Sequence, residues 1–459
     1  MSFRMPVGLR KVWRKTGIAT LSVLLALAPV NGAQAAGISI VRDAETEKMI
    51  RDFSVPIWQA AGLNPKAVKV HLVMDPNINA FVAGGQRMFI NTGLITQSDE
   101  PMMLIGVIAH ETGHMAGGHL SRGSEAFGNI ALPYYASMIA GLGAMIAGQG
   151  DVGMAILAGG AQVAQRSILS YTRQQEGAAD QAGATYLQRS KQSGKGMLLL
   201  FEKFRDQEAL STTSQDPFIR SHPISEERLA SLDERVKASP YYDVPDSPER
   251  IHNFRMVQAK LNGYVDSLQV TMRRYPETDQ SDYGHYARAV AYQKIGTADK
   301  AHAELAPLLT KDPKNPYFWE LKGQIDFENG KIADSIPSYR KALALDPKEP
   351  QIQLALGRSL LATERKADAT EALELLKNAV KGDGENPFGY YQLSIAYGRL
   401  NNIGMAELAT ARYYEALGAS RDAKAHAERA QSLLKAGSPE WLQAQDIAIA
   451  NSNKDKGGR

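Results

Sequence analysis

Hydrophobic spacing changes along the chain, and each change predicts an element. From Asp43 to Gly62 the apolar residues Met49, Ile50, Phe53 and Ile57 recur three or four apart, which predicts an amphipathic helix kinked at Pro56 and ended by Gly62. Val68 to Leu72 alternates with period two, as a half-buried strand does. Asn79–Val82 and Arg87–Asn91 flank Gly84-Gly85 and predict a hairpin. Met102 to His114 is apolar nearly throughout until its histidines, which is the pattern of a buried helix. Ser98 or Asp99 would cap it, and Pro101 suits its first turn. Arg166 to Arg189 returns to helical spacing, and Ser225 caps a further helix that begins at Glu226. Residues 36–240 therefore read as an α+β unit, mostly helical with a small sheet, and residues 241–281 as a linker and leading helix.

Beyond Ile251 the spacing is helical throughout, and it repeats. Blocks aligned at Asp282, Pro316, Pro350 and Pro387 step by 34, 34 and 37 residues, the last step carrying an insertion near Lys366 to Ala372. Trp319, Gly323, Gly330, Tyr339, Ala342 and Pro347 of one block are similar to the tetratricopeptide pattern; Ser335 and Pro337 depart from it. A helix pair cannot bury its own apolar face, so stacking must form the core of an all-α solenoid over residues 282–440. Ala423 to Leu434 would cap the stack, and 441–459 would be a tail that frays from Asn451. The concave surface of such a stack suits a peptide or protein partner.

The amino terminus changes the meaning of the charge. Arg4, Arg10, Lys11, Arg14 and Lys15 precede an apolar run from Gly17 to Val30, and Ala33-Gln34-Ala35 is a small-residue cleavage site. Residues 1–35 read as a secretory signal peptide, which places the mature chain in the periplasm. Removing five positive charges from a net +3 leaves −2, so composition gives no support to nucleic-acid binding. The chain has no cysteine, so any metal site must be built from His, Asp or Glu. Residues 127–148 are apolar and long enough to span a bilayer, but Gly128, Pro133, Gly141, Gly143 and Gly148 interrupt them. They read as a buried or cleft-covering helical hairpin, with peripheral membrane contact as the intermediate case.

The chemistry concentrates at His110-Glu111-Thr112-Gly113-His114. Residues four apart on a helix share a face, so both imidazoles can bind one zinc ion, and Glu111 beside them can act as general base. A catalytic zinc needs a third protein ligand. Glu176 is the best candidate, on a separate helix in a poorly charged region, with Asp180 one turn on to accept a hydrogen bond from a ligand histidine. His119 is out of register for the extended three-histidine motif, whose last position here is Leu120. On a continued helix it would lie about 180° from His110, and it is given a supporting role.

The pairing of His110-Glu111-Thr112-Gly113-His114 with Glu176-Gly177-Ala178-Ala179-Asp180 resembles the gluzincin peptidase family of the CAAX prenyl proteases and HtpX. Asn79-Ala80-Phe81, Thr92-Gly93-Leu94, and His222-Pro223 with Arg228 also match its landmarks. The resemblance implies one zinc ion per chain held by His110, His114 and Glu176, and a metalloendopeptidase activity. A signal, this unit and carboxy-terminal repeats together resemble periplasmic proteases that act on misassembled outer-membrane proteins, with assembly machinery as a partner of the repeats. A chaperone or adaptor whose protease is largely latent is the alternative. A membrane-embedded prenyl-protein protease would need several spans, and the chain offers one candidate.

His222 has three open roles: an oxyanion stabiliser, a fourth zinc ligand that displaces water, or a structural histidine. Arg228 would hold the loop or contact the site. Arg87–Asn91 could be an exposed sheet edge to which an extended substrate adds as a strand.

Overall fold

The structure, a computed structural model, describes residues 39–119, 173–210, 222 and 225–456. The expected signal peptide and the apolar stretch 127–148 lie outside the described residues. No described helix is long and apolar enough to cross a membrane.

Four short strands form one sheet in the order β1-β2-β4-β3: β1 Ser39–Val41, β2 Lys69–Met74, β3 Ala80–Ala83 and β4 Arg87–Asn91. The expected hairpin joins β3 to β4 in antiparallel register, with Phe81 opposite Phe89. β4 also pairs with β2, in parallel. The expectation that Arg87–Asn91 forms an edge is therefore corrected: β4 is interior, and β3 is the outer strand on that side among the described residues. The physical reason is the parallel pairing with β2, which sets Leu72 opposite Ile90; burial does not decide it, since β3 is as fully buried as β4.

Helix α1 (Ala44–Ala60) starts where Asp43 accepts a hydrogen bond from the Thr46 N–H, and it buries Ile50, Ile57 and Trp58 against the sheet side of the core. A short α2 (Thr92–Gln97) leads to α3 (Pro101–Ala116). Glu100 occupies the cap position of α3 without a side-chain bond, while the Ser98 hydroxyl donates backward to the Leu94 carbonyl at the end of α2. α3 is buried from Met103 to Met115, as an apolar helix in the middle of a core must be. It is packed by α1, β3, α4 (Arg173–Arg189) and α5 (Lys195–Leu210), and α6 (Glu226–Lys237) covers α4 and α5.

α7 (Pro248–Val265) faces both ways. Phe254, Val257 and Leu261 enter the core of the α+β part, and Met256 enters that of the repeats. The Gln258 side-chain amide donates to the carbonyls of Ile95 (3.0 Å) and Ser98 (2.9 Å) at the end of α2. After α8 (Leu268–Arg274), the helices run in antiparallel pairs. These are α9 (Asp282–Lys294) with α10 (Ala298–Lys311), α11 (Pro316–Glu328) with α12 (Ile332–Leu345), α13 (Pro350–Ala362) with α14 (Lys366–Gly382), and α15 (Pro387–Arg399) with α16 (Ile403–Ala416). Each pair begins at the residue where its sequence block was aligned. The inserted residues lengthen α14, which has 17 residues against 14 in α10 and α12.

A last pair, α17 (Ser420–Leu433) and α18 (Pro439–Lys456), ends the described chain. Asn451, where fraying was expected, is 1% exposed, because α18 carries Ala444, Ile447 and Ala448 into a core shared with α17. α7 and the repeats also touch the first part of the chain. Tyr286 donates to Glu45 (2.6 Å), Lys260 pairs with Asp43 and Glu45, Arg42 pairs with Asp383 (2.7 Å), and Arg87 pairs with Glu385 (3.0 Å).

Candidate metal centre

The helical period puts His110 and His114 on one face of α3, and their Nε2 atoms lie 3.1 Å apart. Glu176 reaches them from α4. Its Oε1 is 3.3 Å from His114 Nε2, and its Oε2 is 3.5 Å from His110 Nε2. This reach depends on how closely the two helices cross. A Cβ built on Gly113 would stand 2.6 Å from the Ala179 carbonyl oxygen, and one on Gly183 would stand 3.0 Å from the Ala109 carbonyl carbon and oxygen. The crossing at Gly113 therefore has no room for a side chain and the one at Gly183 is tight, and α4 comes near enough for a glutamate to enter the centre.

His222 completes the cluster. Its Nδ1 lies 3.0 Å from Glu176 Oε1 and 3.2 Å from His110 Nε2. One ligand atom from each of His110, His114, Glu176 and His222 can be chosen so that all four lie within 4.8 Å of one another. Four donors bound tetrahedrally to one zinc ion at about 2.0–2.1 Å are about 3.3 Å apart. Five of the six pairs lie 3.0 to 3.5 Å apart, close to that figure, with Glu176 facing His114 and His222 through Oε1 and His110 through Oε2. All four side chains are nearly or fully buried, and a cation between these donors would satisfy all of them at once. The residues present thus fit a zinc ion.

The far side of each ring is also held. Asp180 Oδ1 accepts a hydrogen bond from His110 Nδ1 at 2.9 Å, the arrangement expected from its place one turn after Glu176. Arg228, in the first turn of α6, donates to Asp180 through Nε (2.8 Å) and Nη2 (3.1 Å), and its Nη1 meets Glu176 Oε2 at 3.0 Å. The sequence left the position of Arg228 open; the structure puts it behind both carboxylates. One signal pointed there: a guanidinium at a helix amino terminus opposes the helix dipole and needs another reason. His114 Nδ1 lies 3.0 Å from His119 Nδ1.

Electrostatics separate the carboxylates. Burial would raise Glu176, but hydrogen bonds with His110, His114 and His222 hold it far below its ordinary value. Asp180 is likewise lowered, its burial outweighed by His110 and Arg228. Glu111 differs. Burial pushes its carboxyl up to about 7, against the pull of His222 and His110. Neither of its oxygens has a hydrogen-bond partner among the described residues, and Oε1 is 3.5 Å from His222 Nε2. A carboxylate poised near neutrality and not committed to the donor set is what proton transfer needs.

Edge strand β3 adjoins this centre. The Asn91 N–H donates to the Asn79 carbonyl (3.0 Å), so Ala80 and Val82, one residue out of phase, turn their main-chain groups away from β4. The Val82 amide faces the Glu111 carboxylate.

Comparison with known proteins agrees with this architecture. Residues 42–236 match the model of peptidase family M48, and residues 323–363 match that of the TPR repeat. The chain is 28% identical over 375 residues to the beta-barrel assembly-enhancing protease of Escherichia coli (strain K12), covering 80% of this chain and 75% of that protein. It is 25% identical over 337 residues to a putative beta-barrel assembly-enhancing protease of Vibrio cholerae, covering 72% and 68%. Among solved structures, the crystal structure of MamA is matched at 18% identity over 37% of this chain and 96% of that one, with a TM-score of 0.28. The centre built by α3, α4 and the His222 segment lies inside the matched region, so residues 42–236 are a peptidase family M48 domain, and tetratricopeptide repeats follow it.

Proposed function

We propose that this protein is a zinc-dependent endopeptidase of the periplasm that cleaves misfolded or misassembled outer-membrane proteins, with the repeats recruiting substrates or assembly machinery. The observation that carries the reading is the buried donor set at tetrahedral spacing with an uncommitted Glu111 beside it. The names of the similar proteins support the substrate class, and the amino-terminal segment supports the location.

A zinc ion held by His110, His114 and Glu176 supplies Lewis acidity toward water and toward a peptide carbonyl. The chain's own residues do the rest. An extended peptide pairs with β3 through the main-chain groups of Ala80 and the Val82 carbonyl, while the Val82 amide stays with Glu111, which lays the peptide backbone across the centre and favours unfolded segments over compact ones. Glu111 takes the proton from the attacking water and delivers it to the leaving amine. Asp180 fixes the proton of His110 on Nδ1 and so keeps Nε2 turned to the centre, and Arg228 holds both acidic side chains of α4 in place.

His222 favours a second reading, the adaptor with a largely latent protease. With Nδ1 within 3.2 Å of His110 and Glu176, it completes the tetrahedron and takes the position that water would use. Activity then requires His222 to move aside, where it can stabilise the oxyanion instead.

Metal content and casein cleavage, measured together, test the proposal. Wild type is expected to hold one zinc per chain and to cleave. Glu111→Gln should keep the metal and lose cleavage, Glu176→Ala should lose both, and His222→Ala should keep the metal with altered activity. Wild-type metal content in Glu176→Ala would remove it from the donor set. Full cellular function in Glu111→Gln would favour the adaptor reading.

A further inference from the structure

The two α3 histidines are held from behind by different chemistry. His110 gives its Nδ1 proton to a carboxylate, Asp180. His114 meets another imidazole, that of His119, at 3.0 Å between Nδ1 atoms, with the ring centroids 5.1 Å apart and the planes at 78°. We propose that His119 is the positioning residue of the second α3 ligand: it fixes the tautomer and ring angle of His114 so that Nε2 faces the ion. This rests on the zinc-peptidase reading above.

Proton placement follows from geometry. For His114 to offer an Nε2 lone pair, its proton must sit on Nδ1, and that N–H needs an acceptor. His119 Nδ1 is the atom at hydrogen-bond distance, so it presents its lone pair and carries its own proton on Nε2. The partner is a neutral ring where His110 has a charged carboxylate, which makes His114 the less basic of the two ligands.

The backbone is shaped to bring His119 there. A continued helix would point it to the opposite side, but α3 stops at Ala116 and Gly118 takes φ +61°, a left-handed turn that reverses the chain. The ring then folds back over Gly117, where a Cβ would stand 2.6 Å from His119 Nε2 and 3.0 Å from Cδ2. One glycine makes the turn and the other leaves room for the ring. The His119 carbonyl also accepts from the Gln175 side-chain amide at 3.5 Å, which joins this turn to the residue before Glu176. His119 thus touches the chain on both ligand-bearing helices without entering the donor set.

The test is zinc affinity by chelator competition on the full chain, with the absorption spectrum of the cobalt-substituted protein as a second readout. His119→Leu keeps bulk and removes the acceptor; it is expected to weaken zinc by about 10- to 100-fold, as loss of such a partner does. His119→Asn puts Oδ1 close to where Nδ1 was and should restore affinity to within about threefold of wild type, with a wild-type cobalt spectrum. Gly117→Ala, whose Cβ would meet the ring at 2.6 Å and the Gly113 carbonyl at 2.9 Å, should weaken zinc in the same direction. Wild-type affinity in His119→Leu overturns the proposal, as does an Asn variant no better than Leu, which would leave only packing. Wild-type protein that binds no stoichiometric zinc would instead overturn the peptidase reading and this inference with it, so the two failures are distinguishable.

Discussion

Gly113 occupies a position that the His-Glu-x-x-His motif leaves free, yet the structure makes it one of the most constrained residues of the centre. Gly113→Ala would put a Cβ 2.6 Å from the Ala179 carbonyl oxygen and 2.9 Å from its Cα, both backbone atoms of α4 that cannot rotate away. Restoring an ordinary separation of about 3.4 Å requires α4 to retreat by about 0.8 Å. Zinc–ligand distances tolerate only about 0.2 Å, so Glu176, one turn from Ala179, would leave the donor set unless the helices twist to compensate. We expect zinc affinity to fall by at least about tenfold and the fold to lose about 1–3 kcal/mol, the usual cost of overpacking a core. Isothermal titration with zinc and urea unfolding measure the two effects. Gly177→Ala is the control: it lies next to Glu176 on the same helix, but a Cβ there meets nothing within 4 Å. It should bind zinc normally and gain about 0.5–1 kcal/mol from better helix propensity. A Gly113→Ala protein that binds zinc as tightly as wild type and unfolds at the same urea concentration would refute the close-crossing argument. So would a Gly177→Ala protein equally impaired, since the damage would then be to α4 in general.

Three further outcomes follow from buried charge. Arg228→Met strips Asp180 and Glu176 of a shared, largely buried guanidinium; breaking such a pair should cost about 3–5 kcal/mol in urea unfolding without added zinc, and less with zinc bound. Tyr286→Phe deletes the hydroxyl that donates to Glu45 across the junction with the repeats; a loss of about 1.5–3 kcal/mol and faster trypsin cleavage near α7 are expected. Burial pushes Glu320 up to about 8 from an ordinary 4.5, against the attraction of Lys260. The folded chain therefore keeps a proton that the unfolded chain releases, so this group's contribution is fully present below about pH 4.5 and is lost as pH rises through about 8; Glu320→Gln should flatten the fall in melting temperature between pH 5 and pH 8.

The repeats were readable almost to the residue because their chemistry is local. Three of the four blocks open with a cap followed by proline, at Asn315-Pro316, Glu349-Pro350 and Asn386-Pro387, and those pairs start helices α11, α13 and α15; the first opens at Ser281-Asp282. The three-residue insertion was visible as a longer step, though not as a longer α14. His110, Glu111 and His114 were equally legible, since helical period alone puts them together. The sheet edge was not. Both arms of the hairpin alternate or run apolar, and nothing within Asn79–Asn91 says which arm will meet β2; that choice is a contact between Leu72 and Ile90 far apart in sequence. His119 was placed by assuming that α3 continues, and the turn at Gly118 moved it to the opposite side.

The same division explains the centre. Spacing along one helix identifies donors, but the distance between two helices is set by the residues that allow them to approach. Glu176 stands 66 residues from His110, and its identity as a candidate came from its isolation among uncharged neighbours and from the resemblance to known peptidases. Nothing in that argument required Gly113 or Gly183. A longer side chain at Gly113 would leave the motif intact in sequence while holding the glutamate away from the ion. The motif and the crossing are therefore separate requirements: a chain that keeps His110, Glu111, His114 and Glu176 but fills Gly113 should read as a metallopeptidase and bind its metal poorly.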